Sequence, residues 1–133
     1  MNKLTYEGPK IIAVDFDGTL CENKYPDIGE PNVDLISYLR LARCMGVKVI
    51  LWTCRSKKRL KQAVKWCSDH DLYFDAINKN VKEAVKAYGG DSRKIYADMY
   101  IDDKYCTSLQ MTSFKLWGRS ARKYEQKNSQ ENK

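Results

Sequence analysis

The residues best suited to chemistry come early, in the run Ile11–Ile12–Ala13–Val14–Asp15–Phe16–Asp17–Gly18–Thr19–Leu20. Four apolar residues are followed by two carboxylates two positions apart, then by a glycine and a hydroxyl. Alternate side chains of an extended chain share a face, so Asp15 and Asp17 are expected to project together. Two like charges at the end of a buried strand are costly unless a cation or a bound ligand offsets them. The pattern therefore predicts a divalent metal, and chemistry, at the strand's C-terminal end. An ordinary Asp–Gly turn is the competing reading, and the choice depends on what the rest of the chain supplies.

The elements that must position these residues follow from apolar periodicity. Lys10–Phe16 reads as a strand. Cys21–Pro31, with its Asn, Pro, Asp and Gly, reads as a loop or short flap, and Pro31 is placed to open a helix. Val33, Leu35, Ile36, Leu39, Ala42 and Met45 form a helical stripe that Gly46 ends. Val47–Thr53 is apolar on both faces, as a central parallel strand would be. Ser56 is the expected N-cap of a helix with Leu60, Ala63, Val64 and Cys67 on one side. A short strand is expected at Leu72–Phe74 or Ala76–Asn78, then a helix over Val81–Tyr88 stopped by Gly89–Gly90. Ile95–Ile101 reads as a further strand ending in Asp102–Asp103, and Phe114–Trp117 as a candidate last one.

Strands alternating with helices predict an α/β fold: a single Rossmann-like, doubly wound parallel sheet flanked by helices, with no cap domain. It is expected to span 1–117, followed by a charged tail over 118–133 that is mobile or loosely helical. In such folds ligands bind outside the carboxyl ends of the strands, where the strand order switches. Asp15, Asp17, Thr53, Asp102 and Asp103 all sit at expected strand ends. Lys94 lies in the turn ahead of the last of these strands, with Arg93 beside it as a competitor.

Composition sets further bounds. The chain has 133 residues, 43 % hydrophobic and 31 % charged, which suits one globular domain. No apolar run approaches the roughly 18 residues of a membrane span, and Met1–Lys10 lacks the apolar core of a secretory signal, so a cytoplasmic protein is expected. Five cysteines without a C-x-x-C pair, and a single histidine, argue against zinc and for reduced thiols, with Cys44 and Cys67 on apolar helix faces. His70 reads as a helix-end residue, and Trp52, Trp66 and Trp117 as packing residues. The net charge of +7 is concentrated in six cations between Arg55 and Lys65 and in the tail. That excess favours anionic partners, nucleic acid among them, against the plainer reading of a solvated helix face.

D-F-D-G-T after a buried strand, an apolar strand ending in Thr53, a lysine, and a strand ending in Asp-Asp together resemble the haloacid dehalogenase superfamily of phosphotransferases. The resemblance covers about Lys10 to Asp103. A calcium loop does not fit, because glycine is fourth from Asp15 and the twelfth residue is Pro26. The resemblance implies that Asp15 is the nucleophile forming an aspartyl-phosphate and Asp17 the general acid and base. Thr53 and Lys94 would serve the phosphoryl group, and Gly18 and Thr19 would contact substrate. Arg55, by its position just after Thr53, is a further candidate for substrate contact. Asp15, Asp102, Asp103 and the backbone carbonyl of Asp17 would hold Mg²⁺. Asp102 is favoured as the direct ligand, with Asp103 either beside it or paired to Lys104.

The same resemblance bounds the substrate. About a dozen residues separate Thr19 from the first helix, and the forty between Thr53 and Lys94 are used by expected elements, so neither gap holds a cap. The chain is thus similar to small capless phosphatases. A Mg²⁺-dependent phosphomonoester hydrolase is the first expectation. A nucleotide or polynucleotide-end phosphatase guided by residues 55–65 is the second. A nucleic-acid-binding protein with a vestigial site is the third. Tyr25 in the flap is placed either to stack on a base or sugar or to decorate a turn.

Overall fold

Ile11, Ile12, Ala13 and Val14 carry no polar side chain, and all four are buried. The computed structural model, which describes residues 6–104, makes them one of the two inner strands of a four-stranded parallel sheet. In chain order the elements are β1 (Ile11–Val14), β2 (Cys21–Lys24), β3 (Asp27–Pro31), α1 (Val33–Cys44), β4 (Lys48–Leu51), α2 (Lys57–Asp69), β5 (Ala76–Ile77), α3 (Lys82–Tyr88) and β6 (Met99–Ile101). The expected strand at 114–117, the tail at 118–133, Cys106 and Trp117 lie outside the described residues. The chain divides after Asp103, and the unit that ends there carries all of these elements.

The sheet order is β5–β4–β1–β6, every pair parallel. Alternation along β1 sends Ile12 and Val14 into one core with Ile36, Leu39 and Ala42 of α1 and Ala63 and Cys67 of α2. Ile11 and Ala13 enter a second core with Ile50, Val81, Ala84 of α3, and Ile95. Helices therefore cover both faces, as a doubly wound sheet requires. Leu39 is fully buried, and truncation to alanine at such a site typically costs about 2–5 kcal/mol. No helix among the described residues is long and apolar enough to cross a membrane.

The winding fixes where a ligand belongs. From β1 the chain steps outward to β4 and then β5, and only afterwards returns to place β6 on the other side of β1. The order thus switches between β1 and β6, and the crevice at their C-terminal ends is where such folds bind ligands. Asp15 follows β1, and Asp102–Asp103 follow β6.

Several local expectations are corrected. Cys21–Pro31 is a β-hairpin, β2 pairing antiparallel with β3 around a turn at Tyr25–Pro26, and that peptide bond is cis. Pro31 ends β3 rather than opening a helix. Asn32 caps α1, its Oδ1 accepting the Leu35 N–H at 3.2 Å. Ser56 stands at the N-cap of α2 but makes no side-chain cap bond. Val33 and Met45, read as part of the apolar stripe, are exposed, and so are Cys44 and Trp52. Ile95–Asp98 is not strand. Asp98 pairs with Ile11 through its own N–H and its carboxylate, so β6 starts only at Met99, and Ile95 turns into the second core instead.

Candidate active site

Asp15 is fixed at the switch point by the backbone. Its N–H donates to Ile101 O at 2.9 Å across to β6, while the Trp52 N–H donates to the preceding Val14 carbonyl. The strands thus hold Asp15 beside Asp102 and Asp103, and one carboxylate oxygen from each lies within 4.8 Å of the others. Burial pushes the Asp15 carboxyl up to about 6, and the charges of Asp102, Asp103 and Asp17 push the same way, against a lowering bond from the Phe16 N–H. Both members of the Asp102–Asp103 pair belong to the group.

Gly18 is required by this arrangement. Its φ of +81° is left-handed, and a Cβ there would stand 2.5 Å from Asp103 Oδ2. The loop after β1 and the acidic end of β6 are therefore in direct apposition.

Asp17 does not join the carboxylate group. Regular strand stops at Val14, so the expected common face with Asp15 is lost. The Asp17 carboxylate turns to Arg55, taking Nε and Nη2 at 2.8 Å each in a bidentate pair. Nη2 also donates to Asp27 O at 2.9 Å, and Nη1 to Pro26 O at 3.2 Å. The guanidinium lies 5.0 Å from the ring centroids of both Phe16 and Tyr25. The Arg55 side chain is 1 % exposed. Arg55, read from its position after Thr53 as a substrate contact, is here engaged with Asp17 and the hairpin turn, and its buried side chain does not add to the exposed basic face of α2. It clamps the hairpin turn to the loop after β1.

A comparison with known proteins matches no family model, and no curated protein matches either. Among solved structures, a conserved protein coded by a locus of Bacteroides thetaiotaomicron is 35 % identical, with a TM-score of 0.65. The match covers 82 % of this chain and 90 % of that one. The chain belongs to the family of that conserved protein.

In this member of the family Thr53 is half-buried at the rim. Its N–H donates to Asn78 Oδ1 at 2.8 Å, and its hydroxyl oxygen accepts the Arg55 N–H at 3.1 Å. That bond leaves the hydroxyl proton for another acceptor. Thr19 is buried, its carbonyl accepting from Asn32 Nδ2 at 3.1 Å, and its hydroxyl finds no partner among the described residues. Lys94 is not brought into contact with the aspartates. It is exposed, and its ammonium makes no hydrogen bond or ion pair among the described residues. Arg93 beside it is exposed as well.

Two residues that sequence reasoning passed over complete the scaffold. Asn78, with a φ of +54°, bonds the rim at Thr53. Asn80 is buried, its Nδ2 donating to Asp91 Oδ1 at 2.9 Å and its Oδ1 accepting the Tyr96 N–H at 2.7 Å. Asparagines directly after a short strand were the available signal. Cys67 is buried and its thiol is pushed up to about 12 by that burial, as an inert core thiol would be. His70 caps the end of α2, its Nδ1 2.8 Å from Trp66 O.

Proposed function

We propose that this protein is a Mg²⁺-dependent phosphomonoester hydrolase of haloacid dehalogenase type, with Asp15 as nucleophile. The observation that carries the reading is the convergence of Asp15, Asp102 and Asp103 within 4.8 Å at the switch point. Three crowded carboxylates, one pushed up to about 6, form a site that a cation would relieve. The donor set is oxygen only, as Mg²⁺ prefers, and the missing Cβ of Gly18 leaves room for the Asp103 carboxylate. Asp15, Asp102, Asp103 and the Asp17 carbonyl would hold the ion. Bound there, it would offset the repulsion between an anionic nucleophile and an anionic phosphoryl group.

The chain's own residues then divide the work. An Asp15 oxygen bonds to phosphorus as the bond to the leaving oxygen breaks, and Asp17 gives that oxygen a proton. Water next attacks the aspartyl-phosphate and passes a proton to Asp17, which releases inorganic phosphate and restores Asp15. The Thr53 hydroxyl has a proton to donate to a phosphoryl oxygen, and the Lys94 ammonium is available to a phosphate. Asp17 must leave its two bonds to Arg55 and take up a proton from water before it can protonate the leaving oxygen. A chromogenic aryl phosphate should be hydrolysed with Mg²⁺ and not by Asp15→Asn, and undiminished activity in that variant would sink the assignment.

One observation favours a polynucleotide end as a second substrate reading. Lys57, Lys58, Lys61 and Lys65 are exposed along α2, whose first turn follows the rim at Thr53. Phosphate contacts there would make turnover of a phosphorylated oligonucleotide fall steeply with salt. Salt-independent turnover of that substrate would remove the reading.

A further inference from the structure

Between α3 and β6 the chain runs through Ile95, Tyr96 and Ala97 without joining the sheet, and a cavity of about 470 Å³ opens beside this segment. That size falls within the range of small-molecule sites, about 300–1,000 Å³. Tyr88, Ser92, Lys94, Ile95, Tyr96 and Tyr100 line it. It is set toward the N-terminal ends of the strands, where Asp98 pairs with Ile11, and Asp15, Asp102 and Asp103 take no part in its walls.

The walls are braced before any ligand arrives. Buried Asn80 donates to Asp91 Oδ1 and Ser92 O and accepts the Tyr96 N–H. Ser92 Oγ donates to Lys94 O at 2.7 Å, and the Tyr100 hydroxyl donates to Ile95 O. With these backbone groups satisfied, the cavity is left to aromatic rings and one cation. The Tyr96 ring is held 5.1 Å from that of Tyr6 and 5.3 Å from that of Tyr88. Tyr88 and Tyr100 are 38 % and 40 % exposed, so each keeps ring surface for another planar group. The charge is one-sided. Asp91 is bonded to Asn80, Asp98 to the Ile11 N–H and to Lys10 at 3.8 Å, and Glu83 lies 3.8 Å from Lys48. The Lys94 ammonium has no hydrogen bond or ion pair among the described residues, so the complement of this wall is an anion.

We propose that this cavity is a second ligand site, separate from the acidic crevice, that takes a planar aromatic carboxylate, its ring packed on Tyr88 and Tyr100 and its carboxylate at Lys94. The site is independent of the phosphatase reading and needs neither Asp15 nor a metal.

Isothermal titration of the full chain with 2-naphthoate, and with the neutral 2-naphthamide of the same shape, tests this. Naphthoate should bind one to one with a Kd at or below about 1 mM, which a ligand of its size reaches at ordinary efficiency. The amide should bind about fivefold more weakly, as one exposed ion pair allows, and Lys94→Met should erase that difference. Tyr88→Ala and Tyr100→Ala, each checked for folding by circular dichroism, should weaken both compounds by roughly tenfold. Chelator and Asp15→Asn should leave the naphthoate Kd unchanged. No heat from naphthoate at about ten times that concentration overturns the site. Equal binding of acid and amide by wild type overturns the role of Lys94. Full affinity in both tyrosine variants, or loss of binding in Asp15→Asn, shows that naphthoate binds elsewhere and overturns the assignment to this cavity.

Discussion

Arg55 and Asp17 form a bidentate pair, 2.8 Å at both contacts, and the same guanidinium holds the carbonyls of Pro26 and Asp27. One side chain thus fastens the loop after β1 to the hairpin turn. In the proposed mechanism, release of Asp17 for proton transfer would therefore be linked to release of the hairpin. Removing Arg55 strands the Asp17 charge in a partly buried place, and breaking such pairs costs about 3–5 kcal/mol when burial is complete. Arg55→Ala should unfold at lower temperature and be cut by trypsin at Lys24–Tyr25 much faster than wild type. Arg55→Lys should recover charge but not the fork, and fall between the two. Equal cleavage rates in wild type and Arg55→Ala would rule out the clamp.

Asp15 predicts a pH-dependent stability of opposite sense to most carboxylates. Its folded-state value is about 6 against an ordinary 3.8, so the folded chain holds a proton that the unfolded chain has lost. Stability from this group therefore falls as pH rises between those values, and the penalty is complete above the higher one. Asp15 is half-buried, and after solvent screening the penalty is about 1–2 kcal/mol. Without metal, Asp15→Asn should melt several degrees above wild type near neutral pH and converge with it below about pH 4. Mg²⁺ should raise the wild-type Tm and act weakly on the variant. A variant less stable than wild type in chelator at neutral pH would contradict the picture of crowded carboxylates.

Asp75 works in the usual direction. Burial alone would raise its carboxyl, but Arg43 at 3.2 Å, the Val49 N–H at 2.8 Å and Lys48 hold it below its ordinary value. Its contribution is present above the unfolded value and lost as pH falls through the folded one. Asp75→Asn should cost about 1–3 kcal/mol at neutral pH in urea unfolding, with the gap closing in acid. A gap that stays constant down to about pH 3 would show that charge is not the cause.

Gly18 ties backbone conformation to the acidic group. Alanine there combines a left-handed φ, worth about 1–2 kcal/mol, with a Cβ that displaces the Asp103 carboxylate. Gly18→Ala should lose most of the Mg²⁺-induced rise in Tm while remaining folded. A full metal response would show that Asp103 is not needed at the site.

The sheet was legible because β1 and β4 are apolar on both faces and their connections show clear helical periodicity. The acidic group was legible too, since strand ends in a parallel sheet must converge. The hairpin was not, because Cys21–Lys24 is mostly polar, with Glu22, Asn23 and Lys24 exposed. Its pairing is fixed by backbone bonds and Arg55, not by a buried stripe. The clamp made by Arg55 was not legible from sequence position either. Following Thr53 suggested a ligand contact, whereas its partners are 38 residues away at Asp17 and 28 away at Asp27. Asn80 likewise acts on residues 11 to 16 positions later, a spacing that no periodicity reveals.

The central claim is that Asp15 carries the phosphoryl group. Wild-type protein mixed with Mg²⁺ and an aryl phosphate, quenched in acid and digested, should yield a peptide containing Asp15 heavier by one phosphoryl group, and Asp15→Asn should yield none. Turnover with no phosphoryl group on Asp15, or hydrolysis by Asp15→Asn at the wild-type rate, would contradict the account.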